Sequence, residues 1–113
     1  FIAIITGFSL KDLILKLNAK TYNLADDDLE ISTGYCGDFL SFVMGKAQDM
    51  CAWFTIMNNV NVAAVAHICN IATVVICEGI EPDDMLIEKC KAMGINLIGV
   101  EADIFNAVKL SKI

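Results

Sequence analysis

The second half of the chain alternates short apolar runs with amphipathic segments, and this alternation restricts the possible folds. The runs "CAWFTI", "ATVVIC" and "INLIGV" predict buried strands near residues 51–56, 72–77 and 96–100. Each run is followed by a helical pattern: "NVAAVAHICN", "PDDMLIEKCKAM" and "ADIFNAVKLSK". Pro82 is predicted at the first position of its helix, and Gly94 at its end. Three successive strand–helix units predict one α/β domain with a largely parallel sheet flanked by helices.

The first half of the chain is less regular. One segment carries apolar side chains at helical spacing: Leu10, Leu13, Ile14 and Leu17. Ser9, just before this pattern, and Asp12, within it, are predicted to form a capping box. Two short strands are predicted over residues 20–24 and 29–33, on either side of an aspartate-rich turn. A second helix is predicted over residues 38–46, ending near glycine.

The length of 113 residues fits one domain with one core. We expect that domain to span residues 9–113. The chain opens on Phe1 rather than methionine. The chain is therefore expected either to start inside a longer polypeptide or to follow tag removal. Residues 1–8 are expected to be an extra strand or a segment that does not belong to the native protein.

The composition is apolar, with 57% hydrophobic residues and a mean hydropathy of +0.62. No uncharged run approaches the roughly 20 residues that a membrane-spanning helix needs. The apolar excess predicts helices covered on more than one side and a surface for self-association, with a homodimer as the simplest product. The net charge of −6 without a basic cluster argues against binding to nucleic acid or to an anionic membrane.

Five cysteines are scattered along the chain: Cys36, Cys51, Cys69, Cys77 and Cys90. Their odd number and the absence of a Cys-x-x-Cys pair argue against a disulfide framework and against a zinc site. Free cysteines predict a reducing, cytoplasmic setting. The run Asp26–Asp28 lacks the alternating ligands and the glycine of a calcium loop, and a solvated turn is predicted there. No metal and no cofactor is expected.

The stretch "STGYCGDFLSFVMGKA" (residues 32–47) places a glycine-rich turn before a helix, a pattern that can present backbone N–H groups to an anion. Asp38 stands where the helix N-cap is predicted, and its carboxylate would satisfy those donors. No lysine follows as in a phosphate-binding loop. Thr33, Tyr35 and Ser41 remain as hydrogen-bonding groups for a neutral ligand or for one shared between subunits.

His67 is the only histidine, and the helical pattern places it opposite the apolar face. That position favours a surface or subunit-contact role over a catalytic dyad. Ala63 and Ala64 are likewise predicted to face away from the core, where small side chains allow close approach of another helix layer or of a partner subunit. Tentative subunit-contact residues are therefore Ala63, Ala64 and His67.

Glu78 and Gly79 lie in a turn after a buried strand, and residues 58–61 follow the preceding strand. Ligands of α/β sheets bind at the carboxyl ends of strands, so these two turns are predicted to share one rim. The alternative is that Gly79 only makes the turn that leads into the next helix. No pair of carboxylates has the spacing of a catalytic acid and base.

The chain resembles the DRTGG domain family over roughly residues 9–112. The blocks that carry the resemblance are "TGYCGDFLSFVMGKA", "AWFTI", "NVAAVA", "CEGIEPDDMLIEKCKAMGINLIGV" and "ADIFNAVKL". Of the motif that names the family, Thr33 and Gly34 are present. Members often have Gly-Asp before the strand of Trp53, where this chain has Met-Cys, and His-Pro-Asn before the next helix. Of that second motif, Asn61 is retained.

The resemblance implies a small α/β regulatory domain similar to the non-catalytic N-terminal domain of bacterial HPr kinases. Such domains occur fused to CBS pairs in regulated pyrophosphatases and at the N-terminus of some phosphotransacetylases. Residue patterns and resemblance together give a tentative ligand-binding set: Thr33, Gly34, Tyr35, Asp38, Asn61, Glu78 and Gly79. A small metabolite or an adenine nucleotide is the expected ligand.

The leading functional hypothesis is a non-catalytic, self-associating regulatory or interaction domain, without kinase, phosphatase or hydrolase activity. One alternative is a structural subunit of a larger assembly that binds no ligand. A second alternative, from a different class, is a small enzyme that uses Cys36 or Glu78. The sequence offers that enzyme a single reactive group with no base, orienting residue or anion hole.

Overall fold

Strands and helices alternate along the chain in the computed structural model, which describes residues 8–113. The strands are β1 (Lys20–Asn23), β2 (Gly34–Cys36), β3 (Ala52–Thr55), β4 (Thr73–Ile76) and β5 (Asn96–Gly99). The helices are α1 (Leu10–Leu17), α2 (Leu40–Lys46), α3 (Asn61–Ile68), α4 (Asp84–Met93) and α5 (Ile104–Ser111). The expected extra strand at the start of the chain lies outside the described residues.

The strands form one five-stranded sheet in the order β1-β5-β4-β3-β2. Strands β2 to β5 are parallel, and β1 pairs antiparallel with β5 at one edge. The three strands predicted in the second half of the chain therefore lie side by side. The predicted class, a single α/β domain with a largely parallel sheet and flanking helices, is confirmed.

The helices cover both faces of the sheet. Helices α2, α3 and α4 pack on one face around Trp53, Val74 and Leu97, which are fully buried. Helices α1 and α5 pack on the other face around Phe54 and Ile98, also fully buried. Because the three central strands are covered on both sides, their residues read as continuous apolar runs in the sequence.

Helix α1 begins at the predicted capping box. The Ser9 hydroxyl accepts a hydrogen bond from the Asp12 backbone N–H at 3.2 Å, and the Asp12 carboxylate accepts one from the Ser9 N–H at 3.4 Å. Two backbone donors at the helix start are thereby satisfied. The predicted helix and its cap are both confirmed.

Two predicted boundaries are wrong. The strand expected over residues 29–33 is absent, because Glu30 forms only an isolated bridge with Ser9, and β2 lies later in the chain. Pairing of β2 with the buried strand β3 decides its position, which the local pattern does not show. Pro82 precedes α4 rather than opening it, because the next residue, Asp83, still has an extended backbone and serves as N-cap. The predicted end at Gly94 is confirmed by its left-handed backbone (φ 69°).

Within residues 8–113, no helix combines the length and the apolar character that crossing a membrane would require.

Candidate functional site

The turns that follow the four parallel strands lie together at one edge of the sheet, because parallel strands end on the same side. These turns are residues 37–39, 56–60, 77–83 and 100–103. Ligands of open α/β sheets bind at this carboxyl edge. The carboxyl edge is therefore the candidate functional site, and the tentative ligand-binding residues can be placed relative to it.

Asp38 ties the end of β2 to the end of β3. Its carboxylate accepts a hydrogen bond from the buried Thr55 hydroxyl at 2.7 Å and another from the Ile56 backbone N–H at 2.9 Å. The predicted N-cap role is wrong: helix α2 has Phe39 at its N-cap position and no side-chain cap. Thr55 is a buried polar group that needs a partner, and the Asp38 carboxylate supplies it.

Tyr35 lies on the α2–α4 side of the sheet and packs against the core there. Its ring covers Gly37 so closely that a Cβ at that position would lie 3.1 Å from the ring. The Gly37 carbonyl accepts a hydrogen bond from the Trp53 indole N–H at 2.8 Å. The turn that the sequence offered as an anion cradle is thus anchored to the core by two aromatic side chains.

Thr33 and Gly34 lie at the opposite end of β2 from Asp38. The Thr33 carbonyl accepts a hydrogen bond from the Ala52 N–H at 2.8 Å, at the start of β3. The three residues of β2 separate Thr33 from the carboxyl edge, which is about 10 Å of extended chain at ~3.3 Å per residue. The tentative ligand-binding residues from this stretch are therefore divided between the two ends of one edge strand.

The turns after β3 and β4 are joined by hydrogen bonds, so they lie side by side as predicted. The Asn58 side-chain amide donates to the Glu81 carbonyl at 2.9 Å, and the Asn58 carbonyl accepts from the Asp83 N–H at 3.0 Å. Asn61 is exposed as the first residue of α3, and its N–H donates to the Asn59 side-chain oxygen at 2.9 Å. The structure places Asn61 on this rim, with its side chain in solvent.

Glu78 and Gly79 form a turn in which both residues have a left-handed backbone, with φ of 67° and 68°. Their N–H groups donate to the carbonyls of Ala102 and Val100, each at 2.9 Å, so this turn is bonded to the turn after β5. The Glu101 carboxylate lies over Gly79, where a Cβ would meet its Oε1 at 2.9 Å. Glycine is favoured at position 79 because of its positive φ, whereas the exposed Glu101 side chain could move away from an added Cβ.

A cavity of about 120 Å³ opens at the corner of the sheet where β1 meets the end of β5. We call it the corner pocket. Its lining residues come from the α1–β1 turn, from β1, and from the turns after β4 and β5: Asn18, Lys20, Tyr22, Gly79, Ile80, Glu81, Gly99, Val100 and Glu101. Of the tentative ligand-binding set, Gly79 alone lines it.

The corner pocket could not be predicted from the sequence, because its residues meet only through the antiparallel pairing of β1 with β5. Lys20 lies opposite Gly99 in that pairing. The pairing register shifts between Thr21 and Asn23, and the Tyr22 ring between them lies against Gly99, where an added Cβ would lie 2.7 Å from it. A glycine inside the buried run "NLIG" is the one local signal of such a close approach.

The cysteines are free thiols held in their protonated form. Cys36 is exposed, but partial desolvation of its thiol raises its pKa, and the Asp38 carboxylate raises it further. Burial raises the pKa of Cys77 to about 12, and that of Cys51 and Cys90 to about 11. Because the thiolate is the reactive form, none of these four thiols is activated as a nucleophile at neutral pH.

Of the tentative subunit-contact residues, Ala64 and His67 are exposed on α3, as predicted. Ala63 is fully buried, so its predicted orientation is wrong. Helix α3 packs between α2 and α4, and it therefore buries side chains on its flanks as well as toward the sheet. On α3 and the neighbouring α2, large apolar side chains remain exposed: Phe39 (65%), Phe42 (55%) and Ile68 (65%). We call these three residues with Ala64 and His67 the α2–α3 surface.

The aspartate run lies in the turn after β1. One carboxylate oxygen from each of the residues Asp26–Asp28 lies within 4.8 Å of the others. The Lys11 ammonium contacts the Asp28 carboxylate at 2.8 Å and partly neutralises the cluster, and these carboxylates in turn raise the pKa of Lys11. The Asp28 N–H also donates to the Asp26 side chain at 3.0 Å, a local turn contact.

The fold is similar to that of a known regulatory protein region. It matches the crystal structure of the CBS and DRTGG domains of the regulatory region of Clostridium perfringens pyrophosphatase, complexed with its activator diadenosine tetraphosphate. The TM-score is 0.74 with 16% sequence identity. The match covers 91% of this chain and 45% of that structure's chain, so this chain spans less than half the length of the chain that it matches.

No protein-family model matches the chain, and no curated protein matches it in sequence. The structural match supports the DRTGG-like fold that the sequence blocks indicated.

Proposed function

We propose that this chain is a non-catalytic regulatory domain of the cytoplasm that binds a small ligand and associates with a second copy of itself. The observation that carries the proposal is its fold, which it shares with a regulatory region that is complexed with a nucleotide activator. The protonated thiols and the exposed position of His67 support a role without catalysis. The five free cysteines support a reducing compartment.

An adenine nucleotide is the first ligand to test, and two copies would hold it between them. Drug-sized ligands occupy pockets of about 300–1,000 Å³, so the corner pocket, at about 120 Å³, is too small to hold a nucleotide. The edge strand β2 and helix α2 leave the turn that contains Asp38 at the rim of the molecule. A partner on the α2–α3 surface would convert this rim into one wall of a cleft.

The experiment is a thermal unfolding screen with AMP, ATP and diadenosine tetraphosphate, with tripolyphosphate as the control for non-specific anion binding. We expect at least one nucleotide to raise the melting temperature, since a ligand at 100 times its Kd stabilises by about 2.7 kcal/mol. Equal shifts with tripolyphosphate, or no shift with any nucleotide, would contradict the nucleotide proposal. Self-association without any ligand response would favour the structural-subunit alternative.

Ala64→Arg should weaken self-association. The substitution puts a long charged side chain on the α2–α3 surface, where association would have to desolvate it. Ala25→Arg is the matched control, because Ala25 is exposed in the turn after β1, away from this surface. Sedimentation velocity at micromolar concentration measures the result: a dimeric wild type and control, with a monomeric Ala64→Arg. A monomeric wild type would end the proposal of self-association.

A further inference from the structure

We propose that the corner pocket is a second ligand site, separate from the nucleotide cleft, and that it binds a small α-amino acid through both of its charges. The corner pocket lies at the β1 edge of the sheet, whereas the proposed cleft borders β2 at the opposite edge. A ligand in the corner pocket is therefore independent of a nucleotide in the cleft. The volume of the corner pocket, its polar side chains and their charges support an amino-acid ligand.

The size of the corner pocket selects the class of ligand. A cavity of about 120 Å³ has room for about four water molecules, at ~30 Å³ for each in liquid water. A nucleotide does not fit, but a ligand of a few heavy atoms does. The Tyr22 ring, lying against Gly99, forms one apolar wall that a short aliphatic side chain can contact.

The polar side chains around the corner pocket are free to bind a ligand. Within residues 8–113, the side chains of Asn18, Lys20, Glu81 and Glu101 are exposed and make no hydrogen bond and no ion pair, and all four line the same cavity. Asp38, at the other end of the carboxyl edge, differs because its carboxylate is bonded within the fold. Convergent polar groups with free hydrogen-bonding capacity are typical of a ligand site.

The charges of the corner pocket match a zwitterion. Lys20 supplies one ammonium group, which lies 5.1 Å from the Tyr22 ring centroid. Glu81 and Glu101 supply two carboxylates, and that of Glu101 lies over Gly79. A ligand carboxylate can pair with Lys20 while its ammonium pairs with the glutamates. A simple anion would face two carboxylates, and a simple cation would face Lys20, so each loses one of the two attractions.

The test uses L-alanine and two analogues that each lack one charge, propionate and ethylammonium. Binding is followed by NMR through the backbone amides of Gly79, Gly99 and Glu101. We expect millimolar L-alanine to shift these three resonances and each analogue to bind at least about tenfold more weakly. No shift with L-alanine, or equal binding of propionate, would overturn the inference.

Charge-removing variants of the corner pocket complete the experiment. Lys20→Gln and Glu101→Gln should each weaken L-alanine binding by about tenfold. Lys89→Gln, an exposed lysine of α4 outside the pocket, should leave it unchanged. All three positions are exposed, so folding is preserved and is checked by circular dichroism. Unaltered binding in both pocket variants would place the alanine elsewhere and reject the site, whereas the nucleotide screen and the Ala64→Arg result do not depend on these residues.

Discussion

Replacing Trp53 with alanine should lower the free energy of unfolding by about 3–5 kcal/mol, the usual cost of truncating a buried large aromatic residue. Trp53 is fully buried in the centre of the sheet, on the face covered by α2, α3 and α4. Its indole N–H also donates to the Gly37 carbonyl at 2.8 Å. The alanine variant loses the packing and leaves that carbonyl without this donor. Denaturant unfolding followed by far-ultraviolet circular dichroism measures the change.

Two further variants test whether the stability cost of Trp53→Ala comes from the burial of the side chain. Phe105→Ala removes an aromatic ring that is 71% exposed on α5, outside the α2–α3 surface, and should cost no more than about 1 kcal/mol. Trp53→Phe keeps most of the buried volume but loses the indole donor, and its cost should fall between the other two. If Trp53→Ala cost no more than Phe105→Ala, the packing of Trp53 in the core would be wrong.

The order and class of the elements in the second half of the chain could be predicted because local pattern and tertiary environment agree there. Strands β3, β4 and β5 are covered on both faces, so every residue in them is buried and the apolar runs stand out. Gly94 supplies the left-handed residue that ends α4. The same agreement holds for the capping box of α1, whose two hydrogen bonds are local.

The predictions for Asp38 and Ala63 were wrong because contacts with residues distant in the sequence determine what these side chains bind or pack against. Asp38 has the residue type of an N-cap, but it lies one residue before the N-cap position of α2, and its carboxylate accepts a hydrogen bond from the buried Thr55 hydroxyl instead. A helical wheel places Ala63 away from the core because it assumes one covered face, whereas α3 packs against α2 and α4 as well as the sheet. Neither effect is visible in the neighbouring residues of the sequence.

The corner pocket depends even more on contacts between residues that are distant in the sequence. Lys20 and Gly99 are almost eighty positions apart in the sequence, and strand pairing alone brings them together. The carboxyl edge itself could be expected from the parallel strands, and the bonded turns at Asn58 and Glu81 confirm the expected rim. The corner pocket lies beyond that rim because β1 adds an antiparallel strand, whose partner the sequence pattern does not indicate.

Asn96→Asp should lower the free energy of unfolding by about 3–5 kcal/mol, although it exchanges only an amide for a carboxylate. The Asn96 side chain is almost fully buried and makes four hydrogen bonds. Its oxygen accepts from the N–H groups of Ala25 (2.7 Å) and Asp26 (3.0 Å), and its amide donates to the carbonyls of Asp26 (3.2 Å) and Ala72 (2.9 Å). The carboxylate loses both donors and faces two carbonyl oxygens beside an acidic turn.

The pH dependence of the free energy of unfolding of Asn96→Asp shows whether the penalty comes from burying a charge or from a pH-independent loss of packing. Burial and the facing carbonyls would raise the pKa of the new carboxyl above its unfolded value. The penalty relative to wild type should therefore be largest at pH values above the folded pKa, and it should shrink as the pH falls through it, because the protonated group is neutral and regains one donor. Asn59→Asp is the control: that side chain only accepts a hydrogen bond, from the Asn61 N–H, and a carboxylate accepts it equally well. A penalty in Asn96→Asp that is independent of pH, or no larger than in the control, would show that Asn96 does not anchor the aspartate turn to the sheet through donated hydrogen bonds.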